Sequence, residues 1–543
     1  MLILLLLCLT FGARASERPR SLAFPKSPPP AKALYRVDLM KSDEHTRLAL
    51  TVLQGLVNRR EPRIYIIQDP SWHTAEVIPK WIDGLKAKGY AFTEVPDPLN
   101  LFSRFRSCVK GAALYESNLA DKPETLHKLN ALTLYCAIND AVPVTEELNA
   151  RLKLPILFDA RGKLNAASEA YGWAYRELWP RANHKVLALT CPSHIVLRDY
   201  LVANKIMPFW ISQEMGKTDE DLCWRFLNEA EPNSPVMGCW GGYGEKPAGR
   251  VGEPELQRMT SEQGKFIVVT DGCFNLSMHS GLDFHQPRKR SSARKLTLDP
   301  RKVYVCLNFT DGDNLQYIQQ YFRTKQWWED PNRGKIPLSW SIGPSAAELI
   351  PDVLEYLQRT STPNDELVCS TAGIGLMVPS LYGKSLHDNG ETYAQYLRLT
   401  GEAMQVAGLT SIHLGNTSGV PLDKADMDIW AAKLPDLKGI IADYGPAPGV
   451  TPENAAFMLS SGVPVVRALT APGNSAPNEK SAQALADAII SVTPAKRPAF
   501  MHVCLINWFN SPTVAVEAMK KVGPDYVPVL PSELFALMRK SSK

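Results

Sequence analysis

Short apolar runs alternate along the chain with longer stretches in which apolar side chains return every three or four positions. The runs predict strands and the periodic stretches predict helices. In the first half, ALYRVDL and PRIYIIQD flank the helical HTRLALTVLQGLVNRR. ALTLYCAIND reads as a further strand, and HKVLALTC, PVMGCWGG and GKFIVVTD read as a third set. This rhythm implies repeated small α/β units over residues 34–284.

The second half is steadier. KVYVCLNF, IPLSWSIGP, ELVCSTAG, TSIHLG, KGIIADYG, VPVVRAL and AFMHVCLIN are strand candidates, with a further one at DYVPVL. SAAELIPDVLEYLQRT, ETYAQYLRLTGEAMQVAG and KSAQALADAIISV separate them as helices. Apolar strands alternating with helices point to a parallel sheet buried on both faces. Seven or eight such units in roughly 240 residues suit a β/α barrel of the TIM type better than an open sheet.

The flanks carry other signals. MLILLLLCLTFGARA has an apolar core and a small-x-small end at Ala13-Arg14-Ala15, which predicts a signal peptide over 1–15. It is too short to span a bilayer. Residues 16–33, SERPRSLAFPKSPPPAKA, read as a Pro-rich linker, and the basic 285–301 as a second linker before a barrel domain at 302–543. The expected location is secreted or periplasmic, with no membrane attachment once the signal is removed.

At 543 residues, 45% hydrophobic and 21% charged, the chain is globular and multidomain. Its 60 basic and 56 acidic residues give a net charge of +4, so nothing electrostatic favours nucleic acid. The ten cysteines are irregularly spaced and make no disulfide framework. Without C-x-x-C or H-E-x-x-H there is no zinc signature, and no cofactor is expected.

Chemistry gathers where a barrel would hold it, at the C-terminal ends of its strands. Those ends carry Thr310-Asp311-Gly312-Asp313-Asn314, Ser341, Gly343, Thr371, Gly373, Asn416, Asp443-Tyr444, Arg467 and Asn507-Trp508. Carboxylates and amides suit sugar hydroxyls, and the faces of Trp508, Trp340 and Trp327-Trp328 suit sugar rings, although core packing is the commoner use of a tryptophan. Asp311 and Asp313 stand two apart after an apolar strand, so in extended chain both face one side. Such a pair raises one carboxyl's pKa, activates water or binds a hard cation. DGDN is equally ordinary turn chemistry. A glycosidase also needs an acid for the leaving oxygen. Glu253 and Glu255 in RVGEPELQRM stand out in the first half, where acids at a helix N-terminus are the ordinary alternative.

LQGLVNRREPRIYI, FIVVTDGCFNLSMHSGL, FTDGDNLQY and STAGIGLMVP, in that order, resemble the GxGYxYP family of putative glycoside hydrolases. The resemblance implies three divergent N-terminal α/β repeats, a seven-stranded C-terminal β/α barrel, and an active site in the cleft between them. It implies an acid triad of Glu253, Asp311 and Asp313. The name-giving motif here reads Gly373-Ile374-Gly375-Leu376-Met377-Val378-Pro379, with Leu376 and Val378 in place of the tyrosines. The expectation is an exported hydrolase of a polysaccharide or oligosaccharide. Glu253 would be its acid and an Asp its base, in an inverting geometry with carboxyls about 6.5–9.5 Å apart. Asn314, Trp340, Gly373, Gly375, Asp443, Arg467, Asn507 and Trp508 would bind substrate, with no metal. A non-catalytic carbohydrate-binding protein is the alternative, and a metal-dependent carbohydrate esterase follows it.

Overall fold

The computed structural model describes residues 23–68, 74–119, 125–210, 218–238, 253–286, 294–310, 314–415, 418–471 and 481–542. The signal-peptide segment and Asp311–Asp313 lie outside the described residues. Three small parallel sheets precede a closed barrel.

The first unit is ordered β2-β1-β3, from β1 (Ala33–Asp38), β2 (Ile64–Ile67) and β3 (Ala91–Glu94). The second is ordered β5-β4-β6, from β4 (Gly111–Leu114), β5 (Ala141–Val144) and β6 (Ile156–Asp159). The third is ordered β10-β9-β7-β8, from β7 (Asn183–Leu189), β8 (Ile206–Phe209), β9 (Pro235–Gly238) and β10 (Phe266–Val268). ALTLYCAIND is not a strand. It ends the helix His127–Asn139, most of whose residues are buried, so the polar face that marks a surface helix is missing.

The barrel closes in the order β12-β13-β14-β15-β17-β18-β11, with β11 also pairing β12. Its strands are β11 (Val303–Thr310), β12 (Leu338–Ile342), β13 (Asp365–Cys369), β14 (Ser411–Leu414), β15 (Gly439–Ala442), β17 (Pro464–Thr470) and β18 (Ala499–Ile506). β16 (Ala456–Met458) runs antiparallel on β17, and β19 (Tyr526–Pro528), the DYVPVL candidate, adds to β11 outside the ring.

Alternation along β11 sorts the barrel's two layers. Val305, Leu307 and Phe309 join the large cluster beneath the outer helices. Tyr304 and Cys306 join a separate cluster with Val368, Ile441 and Val466 at the foot of the lumen. The helix Pro531–Ser541 closes that foot with Leu534, Phe535, Leu537 and Met538. Phe535 packs on Gly439, where any Cβ would lie 2.4 Å from the ring.

The stretches read as linkers are docked where they are described. Phe24 is buried, the Pro25 carbonyl accepts from Tyr200 Oη at 2.6 Å, and Ser27 Oγ meets Ser280 Oγ at 2.9 Å. Arg294 is held by Glu533 at 2.9 Å, and Leu296 and Leu298 pack under the barrel foot. Proline-rich and basic composition suggested solvent, but these segments find partners on the folded units.

Candidate functional site

Thr310 ends β11 and is fully buried, and Asn314 opens the helix Asn314–Gln320. The Asp pair connects these two elements in sequence. That helix is gripped by the loop after β10. Gly272 N donates to Gln316 Oε1 at 2.8 Å, Phe274 N donates to Gln319 Oε1 at 3.1 Å, and Gln320 Nε2 donates to the Gly272 carbonyl. The strand ends of the third unit are thus laid against the barrel element that follows β11. Asp271 is buried at this junction with His194 Nδ1 3.9 Å from its Oδ1. Sequence reading passed over both residues. Their signal was present, because V-T-D-G at 269–272 repeats the F-T-D-G of 309–312 after an apolar run.

Glu253 opens the helix Glu253–Glu262 and accepts from Gln257 Nε2 at 3.2 Å. This helix crosses the C-terminal end of the barrel. Arg258 donates to the Ser418 carbonyl beyond β14 at 2.9 Å, and Ser261 Oγ accepts from Val378 N beyond β13 at 2.9 Å. Glu253 therefore belongs to an element fastened over the barrel mouth. The Asp pair it was matched with, and Asn416, lie outside the described residues, as does the side chain of Asn314.

Around the mouth, Asp443 follows β15 and holds Arg467 through both oxygens, at 2.6 and 2.8 Å. Arg467 also lines an open groove of about 420 Å³ with Lys424, Glu453, Asn454 and Phe457. Asn507 is buried, its carbonyl accepting from Trp327 Nε1 at 3.0 Å. Trp508 is partly exposed and stands edge-on to Tyr317 and Tyr321, each with ring centroids 5.1 Å away. It is the tryptophan of the expected set that keeps surface at the mouth.

Three expected substrate contacts serve other ends. Trp340 is fully buried, stacked on Phe309 at 4.6 Å and bonded through Nε1 to Asp365 at 2.9 Å, so it offers no face to a sugar. Trp327 and Trp328 are buried likewise. Gly373 turns against a barrel helix, and Gly375 builds a seam with the third unit. Gly373 has φ +102°, and a Cβ there would lie 2.6 Å from Thr400 Oγ1. A Cβ on Gly375 would meet Phe266 at 2.4 Å and the Ile267 carbonyl at 2.7 Å. That close approach lets Leu376 pair with Ile267 of β10 through two backbone bonds, at 2.7 and 2.9 Å. Leu376 enters the third unit's core and Val378 is fully buried. The two positions where the motif's tyrosines are replaced are packing positions in this chain.

Among the described residues, no three histidine, cysteine, aspartate or glutamate side chains are grouped to hold a metal, and no helix is long and apolar enough to cross a membrane. Burial pushes the Cys306 thiol up to about 12.

Family models account for nearly the whole folded chain. The GxGYxYP first domain matches residues 33–107, the second domain 109–182 and the third domain 184–281. The GxGYxYP putative glycoside hydrolase C-terminal domain matches residues 301–539. A crystal structure described as a putative hydrolase from Bacteroides thetaiotaomicron superposes with a TM-score of 0.79 at 17% identity, over 97% of this chain and 98% of that one. At that identity the likeness is one of fold. UDP-GlcNAc 2-epimerase from Methanocaldococcus jannaschii, at 12% identity over 76% of this chain and 99% of its own, reaches a TM-score of 0.15 and carries no argument. No curated protein matches the sequence.

Proposed function

The chain belongs to the GxGYxYP family of putative glycoside hydrolases, and from that premise we propose that it is an exported enzyme cleaving glycosidic bonds of a polysaccharide or oligosaccharide. One observation carries the reading to a place. The helix that follows the Asp pair in sequence is bonded by three glutamines to strand-end loops of the third unit, so two sets of strand C-termini meet beside it. Ligands of parallel α/β folds collect at such ends.

In the proposed mechanism, Glu253 protonates the leaving glycosidic oxygen. Asp311 or Asp313 takes a proton from the water that attacks the anomeric carbon from the opposite face. Trp508 stacks on a sugar ring at the rim. Asp443 and Arg467, already neutralised by each other, offer hydrogen bonds to hydroxyls rather than a net charge. Leu376 and Val378 are buried in packing positions, so the replacement of the two motif tyrosines does not by itself favour a non-catalytic binder.

The test is a screen of residues 16–543 against plant, algal and host glycans for released sugar, beside Asp313→Asn and Glu253→Gln. The expected result is release by the wild type and a fall of at least about 100-fold in both variants, the usual weight of a general acid or base. Release equal in all three proteins would move the chemistry elsewhere. Release of acetate rather than sugar, abolished by chelator, would favour the esterase.

A further inference from the structure

The barrel lumen above its apolar foot is lined by polar side chains, whereas a packed barrel fills this space with branched apolar ones. One set is internally satisfied. His413 Nε2 donates to the Asp443 carbonyl at 2.9 Å, which leaves Nδ1 of the neutral ring as an acceptor facing the Ser341 hydroxyl at 3.4 Å. Asn308 Nδ2 donates to Ser341 Oγ at 3.1 Å, and Ser339 Oγ donates to Asn308 Oδ1 at 2.9 Å. This chain of bonds runs across β11, β12, β14 and the end of β15, and fixes each donor's direction.

His502 stands outside it. Its ring centroid lies 5.7 Å from that of His413, on a strand separated from β14 by β15 and β17, so the two rings meet across the lumen. His502 is fully buried; the Ala442 carbonyl lies beside its ring, and among the described residues no group makes a well-aligned hydrogen bond to either ring nitrogen. Thr310 Oγ1 and Asn507 Oδ1, at the upper ends of the two paired strands β11 and β18, are also buried without a partner. Buried polar atoms are seldom left unmet, and their gathering on and just beyond the paired strands β11 and β18 indicates that something polar meets them.

The chemistry of that occupant follows from the lining. Burial and the neighbouring His413 hold the His502 ring neutral, so it presents one donor and one acceptor. In register with it stand Cys306 on β11 and Ala468 on β17, and neither these nor Asn308, Ser341, His413 and Cys504 carries a charge. Asp443 is matched by Arg467. A hydroxyl is likewise one donor and one acceptor, and a carboxylate or sulfate would enter with no cation to meet it.

We propose that the upper lumen is a binding subsite for the hydroxyl groups of one uncharged sugar residue, with His502 as its central contact and Thr310 and Asn507 at its rim. The inference rests on reading the mouth as a carbohydrate site, and it implies that a chain end is taken in head-first.

The experiment uses the full chain labelled with 13C at histidine Cε1, titrated with glucose, galactose, mannose and xylose, and with galacturonate as the anionic control. The His502 signal is assigned by its loss in His502→Asn. A neutral sugar should move it and galacturonate should not. His502→Asn should weaken that sugar's binding by at least about tenfold, as expected for losing hydrogen bonds in a buried site. Ala468→Leu, which fills the lumen beside His502 without touching the ring's chemistry, should do the same. Unchanged thermal unfolding certifies each variant's fold.

A His502 signal that no neutral sugar moves, or binding unaltered in both variants, overturns the proposal and leaves ordered water as the lumen's content. Sugar release in the glycan screen with the His502 signal unmoved would sink this inference and keep the hydrolase. Binding at His502 with no release from any glycan would do the reverse.

Discussion

Two buried polar regions of this molecule use the same kinds of side chain to opposite ends. In the seam between the first and third units, Asn275 sits at φ +54° and presents its amide as a strand edge would. Its Oδ1 accepts from Ile66 N at 2.8 Å and Gln54 Nε2 at 2.6 Å, and its Nδ2 donates to the Ile66 carbonyl at 2.9 Å. Beside it, Asn58 Nδ2 donates to Ser277 Oγ at 2.8 Å, and Ser277 donates its hydroxyl and its N–H to Asp199 Oδ2 at 2.7 and 2.8 Å. In the lumen, His502 has no more than the Ala442 carbonyl beside its ring among the described residues. Satisfied polar groups select one docking geometry, whereas unsatisfied ones hold capacity for a visitor. Even in the seam Asp199 Oδ1 is buried without a partner among the described residues, so the two regions differ in how many of their polar groups are bonded.

The comparison breaks most visibly at the motif glycines. Gly375→Val should cost about 3 kcal/mol or more by forcing a side chain into Phe266 and the β10 backbone, read by chemical denaturation. Protection from hydrogen exchange should fall first at the third unit. Asn275→Ala should cost about 2–4 kcal/mol, because both backbone groups of Ile66 lose their partner inside the seam. A loss below about 1 kcal/mol would mean the seam is held by apolar contact alone.

Asp199 sharpens the contrast from within the seam. It is fully buried, and burial raises its pKa from the ordinary 3.8 to about 6. The native state then binds the proton more tightly than the unfolded chain. This group's contribution is therefore most favourable below about pH 4, and is lost as pH rises through 6. Asp199→Asn keeps an acceptor for Ser277 and removes the buried charge. It should stabilise the protein at pH 8 by up to about 3 kcal/mol, with the gain vanishing near pH 4.

The smallest expected effect lies in the lumen. His502→Leu should leave the sugar-free protein within about 1 kcal/mol of wild type, because it forfeits at most the weakly aligned bond to the Ala442 carbonyl. His413→Leu breaks the bonded chain and should cost about 2 kcal/mol, measured by the same unfolding curves.

Much of the architecture was legible because parallel strands buried on both faces are short, apolar and bounded. KVYVCLNF became β11 and AFMHVCLIN became β18 for that reason. ALTLYCAIND misled because a helix buried on all sides loses the amphipathic period that distinguishes it from a strand. At the mouth, the identity of polar residues could be read, but their company could not. Trp340 looked like a platform, yet its alternation on β12 turns it to the helix layer against Phe309. Gly373 and Gly375 looked like a ligand loop, but Gly373 packs on Thr400 and Tyr396 of a barrel helix, and Gly375 on β10, which lies 107 or more positions back in the chain. His502 carried no signal at all. One histidine in a strand becomes notable only when closure of the barrel sets it against His413.

The helix Pro531–Ser541 follows all seven barrel strands and seals their shared foot. During synthesis the ring can therefore be completed while its base is still open to water through the Tyr304–Val368–Ile441 layer. A nascent chain stalled before residue 531 would carry a finished mouth over a greasy, uncorked bottom, which is the kind of surface that chaperones hold and that aggregates when they do not. Commitment to the native state is thereby deferred to a plug that arrives after the vessel is built.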